Sequence, residues 1–289
     1  MAETRTRSPR PESREIVELK QLKQRQPELG EAVDLHLALL DLQRRVQSRV
    51  PLPWIEFAPD WLRQQHEAGR PLLRFEDIPL DWTDFRLVFR QTADVLRRFD
   101  ALEAADYQAI QALSREGHAL EPIVVAWFNQ AAAPEPAGAG LAAPVSTLPD
   151  GLEQILVLAM RPFLERCAEV IQQRADLSTW THSHCALCGG EPELAVLTSA
   201  AERLLICGRC TARWRFDPVA CPFCHNDDRS LLPSFSSRDG MYRLYACDAC
   251  HRYLKAYDAR VGGRPVMFAV DSVATLPLDA AAIQKGYRA

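Results

Sequence analysis

The sequence predicts an α+β protein, with a mostly α-helical N-terminal domain followed by two tandem small metal-binding units of the zinc-ribbon type. Two observations carry that expectation. Eight of the nine cysteines fall between Cys185 and Cys250 in four C-x-x-C frames, while the chain before them holds only Cys167. Upstream of Trp180, apolar residues recur at helical spacing, as in Leu35, Leu39, Leu42, Val46 and Val50. With 289 residues, 47% of them hydrophobic, and a net charge of −4, the chain has ample material for a packed core and no overall positive field.

Residues 1–14 are polar, with several Arg and Pro, and predict a disordered tail. The tail has no apolar stretch of the kind a signal peptide needs, which predicts a cytoplasmic protein. In that reducing compartment paired thiols more often hold metal than form disulfides. The longest apolar runs, residues 123–128 and 155–160, fall far short of the ~20 residues that cross a bilayer, so no membrane insertion is expected. Residues 15–180 read as helical, with a second apolar stripe at Val95, Phe99 and Leu102. Pro51, Pro53, Pro59, Pro71 and Pro79 predict shorter helices and irregular connections between the longer ones. Residues 131–151, rich in Ala, Pro and Gly, read as a loop. Beyond it Leu156, Met160, Phe163, Cys167 and Val170 share one helix face, with Pro162 expected to kink or restart the helix. Cys167 on that face reads as a small buried hydrophobe and not as a nucleophile.

The four frames are Cys185–Cys188, Cys207–Cys210, Cys221–Cys224 and Cys247–Cys250. Two residues between thiols let one tight turn aim both sulfurs at one ion, and two such turns complete a tetrahedral set. Separations of 18 and then 22 residues within successive frame pairs fit two closed sites, in units at 181–217 and 218–260. A single thioredoxin-like redox pair would not recur four times. Each unit reads as a hairpin: 194–197 returns through 203–206, and 242–245 follows the turn signal Arg238-Asp239-Gly240. Sequential pairing of frames is favoured by this repetition, and cross-braced pairing would also satisfy every thiolate. Trp214 and Tyr253 are expected to cover the turns.

Arg209, Arg213, Arg215, Arg252 and Lys255 lie beside the frames. A basic nucleic-acid patch is disfavoured, since residues 185–260 carry ten Lys/Arg against nine Asp/Glu. Compensation of the negative tetrathiolates is the simpler role for these cations. His182, His184, His225 and His251 flank the cysteines and read as spectators, while Gly189 and Asn226 are expected to take left-handed backbone after a turn.

A helical half, then C-x2-C-G, then R-L-L-I-C-x2-C-x3-W-x6-C-x2-C from Arg203 to Cys224, then Y-x-C-x2-C-x2-Y-L-K from Tyr245 to Lys255, resembles the formate dehydrogenase accessory protein FdhE family. The resemblance extends through residues 261–289, a strand and helix tail in which 270–284 is expected to be one helix. It implies two rubredoxin-like units holding iron, with zinc the alternative. Cys185, Cys188, Cys207 and Cys210 would bind one ion, and Cys221, Cys224, Cys247 and Cys250 the other. It further implies a cytoplasmic maturation factor, not itself an enzyme, whose partner is the immature catalytic subunit of a respiratory formate dehydrogenase. The absence of a phosphate loop, nucleophile elbow or HExxH motif agrees with that. The competing expectations are a zinc-ribbon nucleic-acid module and a rubredoxin-like electron carrier.

Overall fold

The computed structural model describes residues 12–131 and 148–288. Residues 1–11 of the expected tail and 132–147 of the expected loop lie outside the described residues. Among the described residues, seven α-helices precede the four cysteine frames: α1 (Arg14–Arg25), α2 (Gly30–Gln47), α3 (Pro59–Ala68), α4 (Trp82–Arg98), α5 (Ala104–Arg115), α6 (Gly117–Ala131) and α7 (Asp150–Arg174). The last is the axle of the helical half. Ile155, Leu156, Ala159, Met160, Phe163, Leu164, Cys167 and Ile171 are all buried along it, as expected of a helix covered on most sides.

Pro162 does not restart this helix, which runs unbroken from Asp150 to Arg174. The proline has no N–H to give the Leu158 carbonyl one turn back, and Gln43 of α2 donates its side-chain amide to that carbonyl at 3.0 Å instead. The expected stripe Val95, Phe99, Leu102 also needs correction. Asp81 caps α4 by accepting from the backbone N–H groups of Thr83 and Asp84, and the helix buries Phe85, Val88, Phe89, Ala93 and Leu96. It ends at Arg98, and Asp100 with φ 53° turns the chain, so Leu102 reaches the core from outside the helix.

The cysteine-rich half forms β1 (Pro192–Leu197), β2 (Arg203–Cys207), β3 (Arg213–Phe216), β4 (Ser234–Ser236), β5 (Tyr242–Cys247) and β6 (Arg252–Asp258). The sheet order is β3-β2-β1-β6-β5-β4. Each unit is thus an antiparallel three-stranded meander, with both expected hairpins present. The two meanders join head to tail through a parallel β1–β6 pair, in register from Leu194 opposite Lys255 to Leu197 opposite Asp258. That pair is parallel because the two meanders are set in the same orientation and the first and third strands of a meander run the same way.

After the sheet come α8 (Ala259–Gly262), α9 (Phe268–Ala274) and α10 (Leu276–Gln284). The expected single helix over 270–284 is therefore two, meeting at Thr275, with Pro277 accommodated in the first turn of α10 where no N–H is required. Among the described residues, the strand content of 261–289 is one bridge, Arg288 beside Arg252. The buried Asp271 carboxylate fixes α9 to the sheet, accepting from Tyr242 Oη at 2.7 Å, Arg264 Nη2 at 2.5 Å and the Met267 N–H at 2.7 Å.

The helices and the cysteine units share one hydrophobic cluster that includes Phe85, Phe163, Trp180, Cys185, Trp214 and Leu254. Cys167 sits in it at 0% exposure, and burial pushes its thiol up to about 12, which keeps it protonated and inert. Cys167→Ala is expected to cost about 1–3 kcal/mol in urea unfolding while leaving the metal content unchanged.

Candidate metal centres

The structure brings the eight cysteines together as two clusters, Cys185, Cys188, Cys207 and Cys210, and Cys221, Cys224, Cys247 and Cys250. Frames pair sequentially, and the cross-braced alternative is not adopted. In the first cluster Sγ–Sγ separations are 3.6 Å for Cys185–Cys210 and 3.5 Å for both Cys188–Cys207 and Cys188–Cys210. In the second they are 3.8 Å for Cys221–Cys250 and 3.6 Å for Cys224–Cys247. A tetrahedron with metal–sulfur bonds of about 2.3 Å has edges of about 3.8 Å, so the sulfurs fit a divalent ion and stand too far apart for disulfides.

The turns repeat in backbone detail. The residue after each second cysteine donates its N–H to the carbonyl of the first: Gly189 to Cys185, Thr211 to Cys207, His225 to Cys221 and His251 to Cys247, at 2.8–3.1 Å. Closing that turn requires left-handed backbone, with φ of 73°, 56°, 58° and 56° respectively. The residue in this conformation at the third turn is His225, not Asn226, because the turn closes on the residue adjacent to the cysteine. Mid-turn N–H groups then face sulfur, with Leu187 N–H 3.4 Å from Cys185 and Arg209 N–H 3.3 Å from Cys207. Such donors stabilise thiolate.

Without a cation the first cluster is electrostatically costly. Burial raises the Cys185 thiol well above its usual range, and four sulfurs in contact cannot ionise together unless a positive ion draws their charge. Either cluster could hold a metal ion.

The flanking histidines of the first cluster have a different task from ligation. His182 Nε2–H donates to the His66 carbonyl at 3.0 Å and His184 Nε2–H to the Gly69 carbonyl at 2.9 Å, so both satisfy carbonyls at the C-terminal end of α3. Trp214 Nε1–H donates to the His182 carbonyl, and Tyr253 Oη–H to Asp279. Three of the neighbouring cations meet carboxylates: Arg215 with Glu202, Lys255 with Asp279, and Arg252 with Glu191. Arg209 stacks 4.0 Å over Trp127, and Arg213 donates to the Val266 carbonyl.

Arg252 is the contact that the sequence did not reveal. It follows the fourth turn by one residue, stacks 3.7 Å over Phe223 inside the third turn, and donates twice to Glu191 just beyond the first, at 2.9 and 2.7 Å. The main-chain carbonyl of Glu191 accepts the Gly208 N–H of the second turn at 3.0 Å. Glu191 and Arg252 therefore touch or adjoin all four turns. The only sequence signal was a cation two residues past a cysteine, a placement that Arg209 shares without this role.

No protein-family model matches the chain. Nor does any curated protein match it in sequence. Among solved structures, the crystal structure of the FdhE protein from Pseudomonas aeruginosa superposes with a TM-score of 0.62, over 95% of this chain and 92% of that one, at 20% identity. The fold is that of FdhE. The likeness covers 95% of this chain, so the described residues are FdhE-like in architecture.

Replacing Gly189 with Ala meets both a positive φ and the Ala131 carbonyl, which a Cβ would overlap. It is expected to lower stability by at least about 1 kcal/mol. His225→Gly and His251→Gly relieve left-handed strain and are expected to keep the full metal content and hold or raise the melting temperature. Metal loss in either would make that histidine a ligand.

Proposed function

We propose that this protein is a metal-binding accessory factor for maturation of a formate dehydrogenase, acting in the cytoplasm on the immature catalytic subunit and not itself an enzyme. The observation that carries the reading is the pair of tetracysteine clusters within an FdhE-like fold. Each cluster would hold one ion through its four thiolates, namely Cys185, Cys188, Cys207 and Cys210 in one and Cys221, Cys224, Cys247 and Cys250 in the other. Iron is the expected ion, with zinc as the substitute that the same soft donor set accepts. Bound iron would supply a one-electron couple and bound zinc a fixed cross-link.

What the chain itself contributes is a rigid frame. The left-handed turns and their N–H groups hold the sulfurs in place, and the Glu191–Arg252 pair fixes one unit against the other. Among the described residues, no helix is long and apolar enough to cross a membrane, which suits a factor that meets its client before export.

Two measurements test this. Metal analysis of anaerobically purified protein is expected to find two ions per chain, and one or none would remove the two-site reading. In cells lacking their own accessory protein, the wild-type chain is expected to restore formate dehydrogenase activity. Cys221→Ser/Cys224→Ser should abolish that rescue while the dehydrogenase polypeptide is still made. Full rescue by a stably folded, metal-free variant would make the metal dispensable.

A further inference from the structure

The two clusters share a backbone design but not an environment. All four cysteines of the first are buried, between 0% and 1% exposed. Its first turn is hydrogen-bonded to the helical half, with Leu72 N–H donating to the Ala186 carbonyl at 2.9 Å and Leu73 N–H to the Leu187 carbonyl at 2.8 Å. Its second turn is held from α7, where Arg161 donates to the Gly208 carbonyl at 2.6 Å and Glu165 accepts the Thr211 hydroxyl at 3.2 Å. Arg209 in the same turn is stacked on Trp127 of α6. Opening either turn therefore means breaking contacts with the main core.

The second cluster lies at the surface. Cys221 and Cys247 are buried, but Cys224 and Cys250 are partly exposed. The residues around those two sulfurs, His225, Asp248, Ala249 and His251, are all exposed. Its fourth turn bonds to Leu231 and to the C-terminal tail: Asp248 N–H donates to the Leu231 carbonyl, Tyr287 Oη–H to the Asp248 carboxylate, and Arg288 N–H to the His251 carbonyl. Arg252, just beyond that turn, holds it to Glu191 and Phe223, and none of these contacts is to α1–α7.

We propose that the two sites are chemically unequal: the Cys185/Cys188/Cys207/Cys210 site is a permanent structural site, and the Cys221/Cys224/Cys247/Cys250 site is exchangeable. The Cys224–Cys250 edge is the face through which a metal ion passes to or from an external thiolate or chelator. The inference rests on the reading that both clusters hold metal. The step is ligand substitution without change of oxidation state. An incoming donor bonds the ion as the Cys250 or Cys224 thiolate leaves it, the remaining sulfurs follow, and each freed thiolate takes up a proton from water. Accessible ligands on a locally stabilised segment open far more often than ligands inside the core, which sets the rate difference.

The test uses the full chain loaded with two zinc ions under anaerobic conditions. An excess of a chromophoric zinc chelator is added together with iodoacetamide, and release is followed by absorbance while alkylated cysteines are mapped by mass spectrometry. Two phases of one ion each are expected, differing in rate by at least about tenfold. The fast phase should coincide with labelling of Cys221, Cys224, Cys247 and Cys250, and the slow phase with labelling of Cys185, Cys188, Cys207 and Cys210. No variant is needed, so misfolding cannot confuse the outcome. Release in one phase, or labelling of the first group before the second, overturns the inference alone. A chain that binds fewer than two ions at the start overturns the metal reading beneath it, and the inference with it.

Discussion

Closure of each cysteine quartet around one point governs the cysteine-rich half. β2 and β5 both end on a cysteine, and the strands after each turn leave from a residue whose left-handed backbone is set by the turn. The sulfur positions therefore fix which residues of the flanking strands face one another, as in Pro192 opposite Cys207 and Cys247 opposite Arg252. Units this small enclose little apolar volume of their own, and in such modules metal binding is itself folding free energy. Further support comes from α6 and α7, which hold the second turn through Trp127, Arg161 and Glu165.

That dependence runs in both directions. The segment at Leu72 and Leu73 lies between helices and gives its N–H groups to the first turn, while α3 has carbonyls satisfied by His182 and His184. Trp180 fills the space between, with Nε1–H on the His184 carbonyl and its ring beside those of His66, His182 and His184. Helices and sheet thus complete each other's unsatisfied backbone groups, which matters because a buried N–H or carbonyl without a partner costs more than a typical hydrogen bond returns.

Much of this was legible in the sequence wherever the signal was local. The C-x-x-C frames, the Arg238-Asp239-Gly240 turn and the apolar stripe from Leu39 to Val46 each state their geometry within a few residues. Other features depend on partners far along the chain. Gln43 satisfies the Leu158 carbonyl, which Pro162 cannot, from 115 residues away, and Glu191 meets Arg252 from 61 residues away. No local pattern distinguishes those residues from other polar ones. The displaced stripe at Val95 fails for a related reason: the periodicity continues past Arg98, but Asp100 turns the backbone. Spacing alone also could not say that the two meanders become one sheet.

The head-to-tail seam has a consequence for assembly. Two meanders joined by translation, unlike two joined by a twofold axis, leave different edges at the two ends, β3 at one and β4 at the other. A translational array has no internal reason to stop at two, and a third meander donated by another molecule would extend it into a polymer. The two terminal strands are poor templates for that growth. β4 is only three residues long, Ser234-Phe235-Ser236, and β3 places Arg213 and Arg215 side by side with Trp214 on an edge of four residues. Short length at one end and positive charge at the other are the devices by which sheet proteins resist edge-to-edge aggregation. Two like meanders set side by side by translation thus form an open-ended lattice, and the outermost strands terminate it.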